Sequence, residues 1–170
     1  MLEYTNVKSD STALHLAANN GHAEVVKFIV QQIRDDFPED LKPWINKKNL
    51  YDFTPLVSVC FRGYLTKGQA KDKYEDRLKI VKVLVRAGAN IMHFTKDTMM
   101  TCMHWAAYNK DDMVIKWLLK EGSQPFKFSH MGRLAIDVAG SCKAWECVDV
   151  FLDSFRRHVI SIHNRRGTKL

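Results

Sequence analysis

The stretch TCMHWAA at residues 101–107 decides the fold, because similar heptapeptides recur along the chain. Earlier copies are TALHLAA at 12–18 and TPLVSVC at 54–60, and a more divergent copy is LAIDVAG at 134–140. Self-similarity at intervals of a few dozen residues is typical of repeat architectures, in which each copy is one supersecondary unit. The chain is therefore predicted to consist of four related units.

A second apolar segment follows each copy. All four segments place apolar residues at i, i+1, i+4 and i+5, which indicates a wide stripe on a helix rather than strand alternation. They are EVVKFIV at 24–30, KIVKVLV at 79–85, MVIKWLL at 113–119 and ECVDVFL at 146–152. Each unit is thus predicted to be helix, turn, helix and loop. One such unit cannot bury its own stripe, so neighbouring units must stack.

The residues between these segments are typical of helix ends. Thr12, Thr54 and Thr101 stand where a helix begins, and their hydroxyls can accept hydrogen bonds from backbone N–H groups that lack an intrahelical partner. Gly88 and Gly122 follow the second helix of a unit, where a left-handed residue is commonly needed. The sequence therefore predicts capped helices with defined turns.

These motifs, together with GHAEVV at 21–26 and RAGAN at 86–90, resemble those of ankyrin-repeat proteins over about residues 5–155. The first motif residue recurs after 42, 47 and 33 residues, and the last interval matches the ankyrin period of about 33 residues. The resemblance implies an all-α solenoid of stacked antiparallel helix pairs with protruding loops. The predicted repeats cover about 8–49, 50–96, 97–129 and 130–155, followed by a basic C-terminal tail or cap at 156–170.

The two longer intervals predict insertions. One covers about residues 34–44, and its Phe37, Leu41 and Trp44 are expected to lie over the outer edge of the stack. The other covers about residues 64–77, where it either lengthens the helices of the second unit or forms a mobile loop. Either insertion could serve partner recognition, since loops commonly carry it.

Residue types associated with catalysis or metals do not form a recognisable constellation. For His15 and His104 the resemblance implies structural hydrogen bonds within and between repeats, and neither has another His or Cys three or four residues away, as a zinc site would require. Phosphate-binding glycine motifs and a nucleophile elbow are absent. The acidic cluster around Phe37 is expected to be a solvated loop. The sequence therefore predicts a non-enzyme without a cofactor or metal.

Four Cys residues without a Cys-x-x-Cys pair indicate reduced thiols and hence an intracellular, cytoplasmic protein. The chain has no apolar run of about 18 residues, and its first residues do not resemble a signal segment. This agrees with the same location.

The net charge of +7 is concentrated at the end of the chain. Five basic residues and no acid follow Asp153, so the remainder carries only +2. Nucleic-acid binding is therefore disfavoured for the domain as a whole. For the tail, three alternatives stay open: it caps the last repeat through Val159, Ile160 and Ile162, it links to another domain, or it contacts a membrane weakly.

A repeat stack offers its loops, here called fingers, and the concave face formed by its first helices to a partner. Positions that the repeat pattern leaves free are unusually apolar and aromatic, as in protein interfaces. Phe53 and Phe128 could instead pack against a neighbouring finger. The predicted partner-binding residues are Lys48, Leu50, Tyr51, Phe53, Phe61, Arg62, Asp97, Met100, Tyr108, Asn109, Phe128, His130, Met131 and Arg133.

Three functions follow as hypotheses, of which the third is nucleic-acid binding through the basic tail. The first is a non-enzymatic protein-protein interaction module, a scaffold or adaptor that holds another protein on its fingers and concave face. The alternative is a regulatory or substrate-recruiting ankyrin segment of a larger enzyme or membrane protein. The sequence names no particular partner.

Overall fold

The computed structural model describes residues 5–6, 9–61 and 72–167. A short hairpin pairs β1 (Thr5–Asn6) antiparallel with β2 (Ser11–Thr12). The helices are α1 (Ala13–Asn20), α2 (Ala23–Asp36), α3 (Leu41–Ile45), α4 (Pro55–Phe61), α5 (Asp72–Arg86), α6 (Cys102–Tyr108), α7 (Asp112–Lys120), α8 (Ala135–Ser141) and α9 (Trp145–Gly167). A 3-10 turn, Pro38–Asp40, joins α2 to α3.

Eight of these helices form two parallel rows. Contacts run from α1 to α4, α6 and α8 in one row, and from α2 to α5, α7 and α9 in the other. Within each pair the two helices also contact each other; for example, α1 contacts α2 and α6 contacts α7. The predicted all-α stack of four helix pairs is therefore confirmed.

The apolar core runs without interruption from α1 to α9. Leu14, Leu56 and Met103 stand at the same place in the first three motif copies, and each is buried. In the second helices, Ile80 and Val114 are buried at a further shared position. Because each stripe is covered by the next pair, burial depends on stacking rather than on any single unit.

The predicted threonine caps hold the start of α1 and α4, where the Thr12 hydroxyl accepts from the His15 N–H at 3.4 Å and the Thr54 hydroxyl accepts from the Val57 N–H at 3.3 Å. The Thr12 N–H donates to His15 Nδ1 over 3.2 Å, and the Thr12 hydroxyl lies 2.7 Å from the same nitrogen. His15 Nε2 lies 2.9 Å from the Phe53 carbonyl oxygen, to which it must donate because a carbonyl only accepts. His15 thus joins its own cap to the following finger, as the resemblance implies.

His104 repeats this arrangement in the third copy. Its Nδ1 accepts from the Thr101 N–H at 3.3 Å, and its Nε2 lies 3.2 Å from the Arg133 carbonyl oxygen. Burial lowers the pKa of both His104 and His15, which favours the neutral ring that these bonds require. The structural interpretation of both histidines is confirmed.

The first insertion prolongs α2 and adds α3. Ile45 is buried, Leu41 packs on the core and Trp44 is partly buried, while Phe37 is half exposed, so the expectation that Phe37 covers the stack stays a prediction. The Asn46 side chain donates to the Gly88 carbonyl oxygen over 3.0 Å and accepts from the Asn90 N–H at 2.7 Å. The insertion therefore fastens the first repeat to the end of the second.

Helix α9 continues through residue 156, the predicted start of the tail, without a break. Val159 and Ile160 are exposed on this extension. These two side chains therefore do not cap the last repeat, because they do not bury its apolar edge. The proposed boundary and the repeat limits stay predictions. Of the second insertion, residues 64–71 lie outside the described residues, and residues 72–77 belong to α5.

Candidate functional site

The three fingers, residues 46–54, 89–101 and 123–134, are joined to one another by hydrogen bonds. His93 Nε2 donates to the Asp52 carbonyl oxygen over 2.8 Å, and the Lys96 N–H donates to the Asp52 carboxylate over 3.1 Å. The His130 N–H donates to the Thr98 carbonyl oxygen over 2.8 Å. The fingers therefore form one linked row rather than three independent loops.

Asn49 sets the shape of the first finger. Its side-chain oxygen accepts from the Tyr51 and Phe53 N–H groups, each at 3.0 Å, and its amide nitrogen donates to the Ser11 hydroxyl over 3.0 Å. Asp52, between the two aromatic residues, has a φ of 58°, in the left-handed region that Asp tolerates better than most residues. This turn presents the Tyr51 ring outward and the Phe53 ring toward the helices.

Five aromatic rings then form a continuous surface, here called the aromatic surface. The Phe53 and Phe61 ring centroids are 4.8 Å apart, and those of Phe61 and Trp105 are 4.6 Å apart, both edge to face. Tyr51 continues the surface at 6.3 Å from Phe53, and Tyr108 at 6.1 Å from Trp105. The surface connects the first finger with α4 and α6, so it depends on the stacking of two repeats.

Exposure differs along the aromatic surface. Tyr51 and Tyr108, at its two ends, are 61% and 51% exposed. Phe53, Phe61 and Trp105 between them are partly buried. Rings that are fixed by edge-to-face neighbours cost little conformational entropy to order on binding. The arrangement is thus a preformed apolar floor between two accessible tyrosines.

Sequence reasoning included four of these five rings and missed Trp105. Its place in the motif is held by Leu16 in the first copy, Ser58 in the second and Val138 in the fourth. Because the pattern tolerates such different side chains there, the position was free to carry recognition. That variability was the signal available in the sequence. Phe53 packs on Phe61 and Trp105 rather than against a neighbouring finger.

Other predicted residues in the first two fingers and α6 play local parts. The Asn109 amide donates to the Cys60 and Phe61 carbonyl oxygens over 2.6 and 3.2 Å, so it fastens α6 to the end of α4. The Lys48 ammonium lies 3.0 Å from the Asp52 carboxylate. The remaining members differ in exposure: Leu50 and Asp97 are exposed, Met100 is partly buried, and Arg62 lies outside the described residues.

The third finger is separate from the aromatic surface. Phe128, His130 and Met131 are exposed on it, and Phe128 makes no ring contact with the five rings in the part of the chain that the structure describes. Arg133 is partly buried, and its guanidinium lies 3.5 Å from the Met131 sulfur. The predicted site residues therefore fall into two groups, and all stay predictions as binding residues.

Groups capable of chemistry are held in structural roles. Asp111 is buried, accepts from the Val114 N–H at 3.1 Å and lies 3.0 Å from the Arg77 guanidinium. Burial raises the pKa of Asp111 against the opposing effect of Arg77. Burial also raises the pKa of the Cys147 thiol to about 12, which leaves it a weak nucleophile. Among the described residues no three His, Cys, Asp or Glu side chains gather as a metal site would require.

Comparison with known proteins gives the class. The ankyrin-repeat family model matches residues 9–36 and 99–127, which contain the first and third motif copies. Together with the four stacked helix pairs, these matches show that the chain carries ankyrin repeats. Ankyrin repeats act as protein-interaction modules, and the repeat domain is generally non-catalytic.

Three relatives show the range of proteins that carry similar repeats. The putative E3 ubiquitin-protein ligase XBAT31 of Arabidopsis thaliana is 25% identical over 91% of this chain and 32% of its own length. The ankyrin repeat-containing protein YAR1 of Saccharomyces cerevisiae is 51% identical over 25% of this chain and 22% of its own. The probable E3 ubiquitin-protein ligase XBOS31 of Oryza sativa subsp. japonica is 32% identical over 57% of this chain and 17% of its own length.

This chain spans about a third or less of the length of these relatives. In the described part of the chain, the helices are too short or too polar to cross a membrane.

Proposed function

We propose that this chain is a non-enzymatic scaffold or adaptor that holds a protein partner on its fingers and on the face formed by α1, α4, α6 and α8. The observation that carries the proposal is the aromatic surface. Tyrosine and tryptophan are enriched among the residues that dominate binding energy, particularly where they sit in a packed, partly desolvated setting. Tyr51, Tyr108 and Trp105 occupy such a setting.

The shape of the surface indicates how a partner would bind. The partly buried floor of Phe53, Phe61 and Trp105 suits one apolar side chain of the partner, while the exposed Tyr51 and Tyr108 can close on either side of it. Because the fingers are hydrogen-bonded together, little ordering is required on binding. The exposed third-finger residues Phe128 and Met131 would then supply a second, more adaptable contact.

The experiment compares capture by matched variants. The double variant Tyr51→Ser/Tyr108→Ser removes both exposed rings of the aromatic surface, whereas Phe28→Ser/Phe37→Ser removes two exposed rings on or next to α2. Quantitative affinity purification with mass spectrometry should show proteins held by the wild-type chain and by the α2 variant but lost from the tyrosine variant. Each such protein is then titrated directly against the three purified chains.

The direct titration tests whether the aromatic surface binds the partner. Loss of two anchoring rings should weaken binding at least tenfold, since such residues commonly contribute more than about 1 kcal/mol each. Equal affinity for the tyrosine variant and the wild-type chain would remove the aromatic surface from consideration. The third finger is tested separately by Phe128→Ser/Met131→Ser, for which we expect a smaller loss.

A second candidate function is a substrate-recruiting segment of a larger enzyme. The observation in its favour is that XBAT31, named as a putative ubiquitin ligase, matches almost the whole chain with only a third of its own length. Sequencing of full-length transcripts tests this candidate. A ligase domain encoded in the same reading frame would support it, whereas a reading frame confined to these 170 residues would leave the adaptor.

A further inference from the structure

Helix α9 carries an apolar stripe along the side of the stack that no further repeat covers in the described part of the chain. Its members are spaced alternately by three and four residues over the helix: Trp145, Val148, Leu152, Phe155, Val159 and Ile162. This is the a/d spacing at which two helices pack side by side. Trp145 and Val159 are 61% and 65% exposed, and Leu152 and Ile162 are 42% and 40% exposed. The stripe spans about 26 Å at 1.5 Å per residue.

Phe155 stacks on the Phe126 ring, with the ring centroids 5.1 Å apart. The other repeats show why the rest of the stripe is not covered by the residues that the structure describes. Val26, Val81 and Ile115 occupy the position of Val148 in the earlier copies, and all three are buried by the repeat that follows. In the last copy, Val148 is only partly buried and Leu152 is exposed. The stripe therefore begins on a surface that is built to be covered by another helix and continues beyond it.

Charges beside the stripe indicate which helix would fit. Asp149 and Arg156 both occupy the e position, one residue beyond a d residue, and both are exposed. In an antiparallel pair of helices e positions face each other, so a second copy of α9 would place Arg156 opposite Asp149 twice, related by a two-fold axis. A parallel pair would bring e positions beside g positions, which here are Phe151 and His158, and would gain no such charge pairing.

The same antiparallel arrangement matches the apolar residues. Centred between residues 153 and 154, it pairs Leu152 with Phe155, Val148 with Val159 and Trp145 with Ile162, each from opposite copies. A shift by one heptad would instead place Arg156 against Arg156, which is repulsive. Apolar complementarity and charge thus select one register.

We propose that two copies of this chain associate through an antiparallel pairing of α9, with the stripe as its core and Asp149–Arg156 pairs at its flank. The interface is isologous, so it closes at the dimer instead of growing into a filament. It lies at the end of the stack and leaves the aromatic surface accessible on each copy. Two linked binding surfaces would raise the avidity for a repetitive or dimeric partner.

The test is sedimentation equilibrium of the full 170-residue chain from about 1 μM to about 1 mM, a range that resolves the modest affinity expected of so short a stripe. The wild-type mass should rise from monomer to dimer and no further. Val159→Asp should weaken association at least tenfold. Ile160→Asp is the matched control, because Ile160 is adjacent and 58% exposed but lies about 100° around the helix, off the stripe.

Exchange of the two charges supplies a second readout, because the double variant has the same amino-acid composition as the wild-type chain. Asp149→Arg and Arg156→Asp should each weaken the dimer by creating like-charge pairs, and the double variant should recover most of the wild-type affinity. Circular dichroism and urea unfolding check that each variant is folded. The dimer is ruled out by a monomer at every concentration, by equal effects of Val159→Asp and Ile160→Asp, or by a double variant no better than the single ones.

One remaining outcome identifies a different occupant of the stripe. If the chain stays monomeric but floats with phosphatidylserine vesicles in a manner that Val159→Asp abolishes, the stripe is a membrane-binding face and the dimer is wrong. Binding of protein partners to the aromatic surface is measured independently of this experiment, so either proposal can fail alone.

Discussion

The third and fourth repeats have the same helix-pair architecture but different neighbours. The third repeat is covered on both sides, and its Met103 and Ile115 are buried. Among the described residues the fourth repeat has a neighbouring repeat on one side, and Ile136 and Val148 at the same positions are partly exposed. The same sequence position therefore contributes differently to stability according to whether a following repeat stacks on it.

The beginning of the inner helix shows the same contrast. His104 of the third repeat bonds both to its own cap and forward to the Arg133 carbonyl oxygen. The Asp137 carboxylate of the fourth repeat accepts from the Leu134 N–H at 2.8 Å, within its own cap. In the part of the chain that the structure describes no finger follows this repeat, and a carboxylate suffices for the cap. Asp137 therefore serves the cap of its own helix, whereas His104 also joins two repeats.

The largest effect expected from this comparison is in the core. Met103→Ala should lower the free energy of unfolding by about 2–4 kcal/mol, because it opens a cavity between two covered helices. Ile136→Ala should cost only about 1 kcal/mol, because its side chain is already partly in water. Urea unfolding followed by circular dichroism measures both values. Equal losses of unfolding free energy would show that coverage by a following repeat does not distinguish these two positions.

A smaller effect is expected at the caps. His104→Ala leaves the buried Thr101 N–H and the Arg133 carbonyl oxygen without their partner and should cost about 2 kcal/mol. Asp137→Ala removes a single exposed cap and should cost about 1 kcal/mol. The same urea series compares them. A His104 variant as stable as the Asp137 variant would contradict a role for the histidine between repeats.

Acidification should also separate the two caps. Burial lowers the pKa of His104 and His15 below the usual value of 6.5, so the unfolded chain binds protons more readily than the folded one. Their contribution is complete above pH 6.5 and is lost as the pH falls from that value through the folded-state pKa. Urea midpoints between pH 7.5 and about 5 should therefore decline, and His104→Gln should decline less than Asp137→Asn. If the urea midpoints of these two variants decline in parallel as the pH falls, protonation of His104 is not the cause.

The smallest effect concerns the turns within a helix pair, where the repeats differ in another way. Gly21 adopts a φ of 76° in the first repeat, whereas Lys110 and Lys143 adopt 58° and 54° in the third and fourth. A left-handed conformation destabilises a residue with a β-carbon by roughly 1–2 kcal/mol. Glycine avoids this steric cost but loses more conformational entropy on folding, so the net gain from glycine is smaller. Lys110→Gly and Lys143→Gly should each stabilise the chain by about 0.5 kcal/mol.

Differential scanning fluorimetry measures these small shifts. Lys110→Ala provides the matched control, since it removes the charge but keeps the β-carbon, and it should not stabilise. If the alanine variant gains as much as the glycine variant, then charge rather than backbone conformation is responsible.

Much of this molecule could be derived from local pattern. The paired helices, the threonine caps and the left-handed Gly88 and Gly122 follow from properties of a few consecutive residues, and the structure confirms them. The structural role of His15 and His104 was accessible through the family resemblance. These features depend on hydrogen bonds and steric limits that act over one or two helical turns.

The tertiary structure alone decided which side chains meet. The contact of Phe53 with Trp105 joins residues from different repeats, and its geometry depends on how closely two helices approach. The half exposure of Phe37 and the uncovered stripe on α9 likewise depend on what does or does not pack beside them. Helical periodicity shows that a face is apolar, but only the assembled stack determines whether a neighbour, another molecule or water covers that face.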